Sequence, residues 1–284
     1  MLVTAPLAVY LGLQPSARRD LAYAGACVLV TVALSWGPAD EFEQLERAWV
    51  VLLTGAIASM VLVSGGRSWI RTSLGALGLA GGAAAVLMVV THLTWGKVAG
   101  VVEQHFFPPA RAVVDLIAPV GSPSREPINA SVLAVVRALS GLLPGVVLLQ
   151  SLAAQALAWA LYRRIARTPR GEPLGALALF RFNDHLIWGV ALSLVAVLLP
   201  RLAWARALGG NLLLFFGGLY LVRGVAVLAA VASAVGFTGL VASLAVLAGT
   251  VLLWWILAPA LLVLGLTDTL VDWRLRLARA AGKP

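Results

Sequence analysis

The sequence predicts an all-α fold, a polytopic helical integral membrane protein of about seven to eight transmembrane helices, each drawing on the ~20 apolar residues that a bilayer requires. Three observations predict it. Of 284 residues, 61% are apolar and only 12% charged, with a mean hydropathy of +0.95, whereas globular chains are about half apolar and a quarter charged. The apolar stretches run on in Leu, Val and Ala without alternating in polarity, which favours helices over a barrel, the other structure that satisfies its backbone in lipid. The arginines also gather where those stretches end: Arg163, Arg164, Arg167 and Arg170 after one, and Arg274, Arg276, Arg279 and Lys283 after the last. Cytoplasmic loops anchor membrane helices in this way.

The elements follow in order. Met1 to Leu13 covers about 20 Å of a roughly 30 Å hydrocarbon core and reads as a half-helix or the remnant of a longer one. Its positive residues, Arg18 and Arg19, come after the apolar part; this reverses the polarity of a secretory signal, so the segment is expected to be retained. Leu21 to Trp36 crosses with help from its flanks. The loop with Asp40, Glu41, Glu43 and Glu46 fits the outer side, being acidic. Ala48 to Ser64 returns, Arg67 and Arg71 mark an inner turn, and Thr72 to Trp95 goes out again. Within it Gly78 and Gly82 form a G-x-x-x-G face that would let another helix approach.

Residues 97–130 break the pattern with both signs of charge and five prolines, Pro108, Pro109, Pro119, Pro123 and Pro127. Val98, Val101, Val102 and Phe106 recur at helical spacing, so the first part is expected to lie in the membrane interface. The stretch is the expected linker between an N-terminal half, 1–96, and a C-terminal half, 131–284, that ends in the basic tail. Asn129-Ala130-Ser131 fits the glycosylation triplet, a pattern too common to carry weight. Ser131 to Tyr162 is one long apolar run holding Arg137, with a kink expected near Pro144. After the basic loop come Phe180 to Trp188, Leu186 to Leu199, a turn over Pro200 to Arg206, and the runs Leu208 to Ala232 and Thr238 to Leu266. Three spans here would put the basic loop and the basic tail on opposite sides, although both have cytoplasmic charge. Either residues 238–271 form a hairpin about Pro259, or one run does not cross.

Composition also narrows function. The formal charge of +9 sits at helix ends, which speaks for membrane anchoring and against nucleic acid. Cys27 is the only cysteine, so neither an intrachain disulfide nor a cysteine-built metal site can form. His92, His105 and His185 are too scattered for a metal centre. No P-loop, H-E-x-x-H or G-x-S-x-G motif occurs, and no nucleophile has a base within helical reach. The protein is expected to be no enzyme and to need no metal or cofactor.

The polar residues inside or beside apolar runs are the candidates. Arg181, Asn183, Asp184 and His185 could form a recognition site at a membrane face; alternatively Asn183 or Asp184 caps the next helix and Arg181 anchors at headgroup level. Arg137 and Arg223 are the buried-charge candidates, since an arginine at mid-bilayer costs at least about 2.5 kcal/mol and is usually paired or functional. Arg223 lies 17 residues after Arg206, about 25 Å along a helix. It either snorkels to the far interface or takes a partner from Asp184, Asp268 and Asn211. Asn211, Gln150 and Gln155 read as interhelical hydrogen-bonding groups. Trp254 and Trp255, in midspan, read as core or lipid contact.

A wider resemblance rests on short motifs. Phe180-Arg181-Phe182 with Asp184 and Leu186-Ile187-Trp188, Gly210-Asn211-Leu212-Leu213, Gly224-Val225-Ala226-Val227, and Leu264-Gly265-Leu266-Thr267-Asp268 with Asp272-Trp273-Arg274 resemble the YybS-like family. So do Pro6 before Leu11-Gly12-Leu13, and Arg71 with the glycine-rich helix after it. These are bacterial membrane proteins of unknown function, distantly similar to the substrate-binding S components of energy-coupling-factor vitamin transporters. The resemblance implies a multi-pass protein of the bacterial cytoplasmic membrane with an S-component-like core. It also implies a full helix ahead of Met1 to Leu13, so this chain begins late by comparison. Arg223 stands where the family pattern has an uncharged polar residue. The expected function is non-catalytic binding of a small molecule or lipid near Arg181, Asp184, Asn211 and Arg223, energised if at all by a partner subunit. The alternative is a structural or assembly subunit that scaffolds another membrane complex.

Overall fold

The computed structural model describes residues 1–65, 68–118, 122, 124–199, 202–234, 254–274 and 276. Among these residues the regular structure is helical, with no strand. Helices α1 (Thr4–Leu13), α2 (Arg18–Ser35), α3 (Glu41–Ser64), α4 (Trp69–Val90), α5 (Trp95–Ile117) and α6 (Arg125–Ile165) come first. Two 3₁₀ turns follow, Leu177–Leu179 and Asp184–Leu186, and then α7 (Ile187–Leu198), α8 (Ala203–Ala234) and α9 (Trp254–Val271). Helices α3, α4, α6 and α8 are long and apolar enough to cross a membrane; α1, α7 and α9 are apolar but shorter. Large apolar side chains such as Leu29, Val63 and Val89 point outward, the surface that a lipid solvent accommodates. The protein is a polytopic helical membrane protein.

The chain divides into two compact units, Met1–Leu174 and Gly175–Pro284. The division therefore falls after the basic loop and not in residues 97–130. That stretch holds α5 and the start of α6, which pack on each other as an antiparallel pair. Glu103 meets Arg137 at 3.9 Å and Asp115 meets Arg125 at 2.5 Å, while Val102 and Val114 are buried. α6 continues through Pro144 as one 41-residue helix.

In the first unit α1 packs on α2, α3 and α6, around a core of Tyr10, Leu11, Leu53, Ile57, Trp159 and Tyr162. Local sequence sets the helix ends. Asp40 caps α3 by accepting from the Glu43 N–H at 2.7 Å, satisfying one of the free donors of the first turn. Gly65 ends it at φ +64°, a left-handed conformation that glycine adopts without strain. Among the described residues no helix makes the expected G-x-x-x-G approach. A Cβ on Gly78 or Gly82 would meet open space, and the glycine pressed by a neighbour is Gly75, against Met60 of α3. Arg67, Pro119, Pro123, Pro200, Arg201, the first part of Thr238 to Leu266, the side chains of Trp254 and Trp255, and Arg279 and Lys283 lie outside the described residues.

Candidate functional site

In the second unit α8 is a spine that two shorter helices share. Along its N-terminal half lies α7, with Phe216 against Gly189 and Ala196 and Val197 against Gly209. Along its C-terminal half lies α9, and here the backbones touch. A Cβ on Gly224 would stand 1.9 Å from the Leu261 carbonyl oxygen, and one on Gly265 would stand 1.9 Å from that of Tyr220. Only glycine at both positions permits this approach, the usual role of small residues between membrane helices. The pairing is antiparallel, so the end of α9 and the start of α7 both reach α8 near its middle.

The polar residues converge at that junction. Arg223, one residue before Gly224, is buried, and its guanidinium donates from Nε to Asp268 Oδ2 at 2.9 Å and from Nη1 to Asp184 Oδ1 at 2.6 Å. Side chains on a helix lean toward its N-terminus, and this lean carries Arg223 toward the end of α9 where Asp268 sits. Phe182 places its ring 5.4 Å from the guanidinium carbon and meets Tyr220 edge-on at 5.1 Å. Asp268 Oδ2 also accepts from Arg274 Nη2 at 2.6 Å, and Arg274 Nη1 donates to the carbonyls of Phe180 at 2.8 Å and Ala178 at 3.3 Å. Two arginines and two aspartates thus balance in formal charge. Arg181 pairs with Asp272 beside them.

The partners differ in access. The side chain of Asp268 is 0% exposed and that of Asp184 64%, against 3% for Arg223. Three buried atoms of the cluster, Asp268 Oδ1, Arg274 Nε and Tyr220 Oη, have no hydrogen-bond partner among the described residues. Buried polar groups are nearly always satisfied, so the cluster holds hydrogen-bonding capacity beyond its internal pairs.

Set against the sequence, Arg223 and Asp184 come together and Arg181 lies beside them through Asp272. Asn211 does not join them. It stands 12 residues before Arg223 on the same helix, about 18 Å along the axis, and donates to the Ala207 carbonyl at 2.9 Å. Asn183 caps the short turn, accepting from the His185 N–H at 3.0 Å. Arg137 is no buried charge, its side chain being 70% exposed beside Glu103. Arg274, expected as a topology anchor, is a buried member of the cluster, whereas Arg276 lies over the Trp273 ring at 5.9 Å. Phe182 and Tyr220 were not legible as site residues, because isolated aromatics in an apolar sequence carry no signal. Among the described residues no group of His, Cys, Asp and Glu could hold a metal ion.

Residues 1–269 match the family described as predicted membrane protein (DUF2232). The chain belongs to this DUF2232 family. The match spans every charged residue of the cluster up to Asp268, and Asp272 and Arg274 follow it. No curated protein and no solved structure matches the chain.

Proposed function

We propose that this DUF2232 member is a non-catalytic membrane protein that binds a small molecule or lipid through an acidic group at Arg223. The observation that carries the reading is the contrast between the two partners of one buried cation. Asp268 is sealed and holds Arg223 in place through Nε; Asp184 is exposed and accepts from Nη1. A ligand carboxylate or phosphate can take the position of Asp184 without leaving any charge buried and alone, which is the costly alternative. The bidentate fork of arginine suits such groups.

The setting supports the same reading. At 12 residues, α7 reaches about 18 Å, short of the ~30 Å hydrocarbon core. Substrate sites in secondary transporters form where discontinuous helices end. The likeness to the YybS-like family and to S components belongs to this proposal, as do residence in the bacterial cytoplasmic membrane and an energising partner.

The test is retention of bound small molecules and lipids by the purified protein, read by native mass spectrometry. Arg223→Ala is expected to lower retention of the bound species at least tenfold, with Arg206→Ala unchanged. Equal, small effects of the two would overturn the reading. A structural or assembly subunit is the second reading, and α6 favours it. Its 41 residues extend about 60 Å, twice the hydrocarbon thickness, so an upright α6 would reach beyond the hydrocarbon core and offer its end as a surface for a partner protein. Stoichiometric co-purification of such a partner, with no bound small molecule or lipid, would select it.

A further inference from the structure

We infer that one end of the first unit is a preformed platform for the headgroups of anionic phospholipids, built from two basic segments that lie far apart in sequence. The segments are Arg18 and Arg19 at the start of α2, and the loop after α6 that carries Arg164, Arg167 and Arg170. All five side chains are exposed.

Specific bonds join the two segments. Ser16 Oγ donates to Asp20 Oδ2 at 2.5 Å and accepts from the backbone N–H groups of Arg167 and Thr168 at 3.1 and 3.2 Å. Arg19 Nη2 donates to the Ile165 carbonyl at 3.4 Å. Tyr162 Oη accepts from the Arg170 N–H at 3.0 Å and donates to Gln14 Oε1 at 3.3 Å, and Gln14 Nε2 donates to the Gly65 carbonyl at 3.1 Å. Gln14, Asp20 and Tyr162 are buried beneath the loop. Hydrogen bonds from Ser16 and from the Ser16 and Ala17 N–H groups hold the Asp20 carboxyl below the usual carboxylate range, so it stays ionised and keeps its grip on Ser16. The loop backbone is thereby fixed while its guanidinium groups face outward.

Charge and position select the partner. Of the acidic side chains among residues 14–20 and 163–172, Asp20 is buried and only Glu172 is exposed, so the patch is strongly positive. Its loop part starts directly after Tyr162, where the apolar run of α6 ends, the position at which basic residues meet headgroups beside a membrane helix. Clusters of this size beside a membrane helix attract anionic lipid. Fixing the backbone in advance removes part of the ordering cost that a flexible basic tail would meet on binding.

The experiment is native mass spectrometry of the full-length protein, titrated with phosphatidylglycerol, with phosphatidylcholine and with a short oligonucleotide. The wild type is expected to retain phosphatidylglycerol in preference to phosphatidylcholine. The triple variant Arg164→Gln, Arg167→Gln, Arg170→Gln should lose that preference about tenfold. A charge-matched triple on the α5–α6 pair, Arg111→Gln in α5 with Arg125→Gln and Arg137→Gln in α6, should keep it, and unchanged helical circular dichroism confirms that both fold. Ser16→Ala should lower the preference about threefold and Ser16→Thr restore it, since the arginines remain but lose their fixed loop. Equal retention of the two lipids, equal losses in the two triples, or tighter binding of the oligonucleotide at physiological salt would each overturn the inference. None of these outcomes touches the Arg223 cluster, so the proposed function stands or falls separately.

Discussion

Asp268 is the residue on which the second unit turns. It lies in an apolar run, completely covered, with one oxygen shared between Arg223 and Arg274. Taking charges out of water is expensive, and the expense is recovered only when each keeps its partner. Asp268→Ala would leave two guanidinium groups without their buried counter-ion and should destabilise the protein by about 3–5 kcal/mol. Asp184→Ala removes an exposed carboxylate and should cost about 1 kcal/mol or less. Denaturant midpoints in mild detergent check the contrast, and comparable losses for the two would show that Asp268 is not the keystone. Part of this pairing was legible: an arginine inside a membrane run demands a partner, and Asp184 and Asp268 were among those the sequence offered. The second arginine was not. Arg274 opens a basic tail and reads as an anchor, and only the path of Ala178 to Phe180 beneath it, whose carbonyls accept from it, turns it inward.

At the scale of elements the decisive contact is glycine against backbone. At Gly224 and Gly265 a carbonyl oxygen of the facing helix lies where a Cβ would intrude, and this closeness sets Asp268 within reach of Arg223. Gly224→Ala would force α8 and α9 apart, at about 1–3 kcal/mol for overpacking, and should weaken binding at Arg223 together with stability. Gly217→Ala, on the same helix with nothing within 4 Å, should be neutral or slightly stabilising, since alanine is the better helix former. The midpoint of thermal unfolding separates the two, and like behaviour would contradict the close packing. The sequence directed attention to other glycines. Gly78 and Gly82 have the spacing of a packing motif but meet no neighbour among the described residues, while Gly224 and Gly265 lie in different runs, and no local pattern marks a pair that tertiary structure alone brings together.

For the molecule as a whole, charge at the helix ends predicts topology. Reporter fusions in the loop at Gly171 and after Pro284 should both be active in the cytoplasm, which requires an even number of crossings between them. Activity on opposite sides would overturn the positive-inside reading of the tail. The sequence by itself determined that this is a helical membrane protein and where its charged ends lie, and it narrowed Arg223 to snorkelling or pairing. Those properties follow from composition and from period along a single helix, because lipid imposes the same demand on every segment. Tertiary structure alone decided the division after Leu174, the sharing of α8 by two short helices, and the joining of Arg18 and Arg19 to the loop after α6. It also decided which carboxylate is buried and which is exposed. These depend on contacts between residues tens to more than a hundred positions apart, through side chains and backbone atoms whose meeting no local pattern encodes.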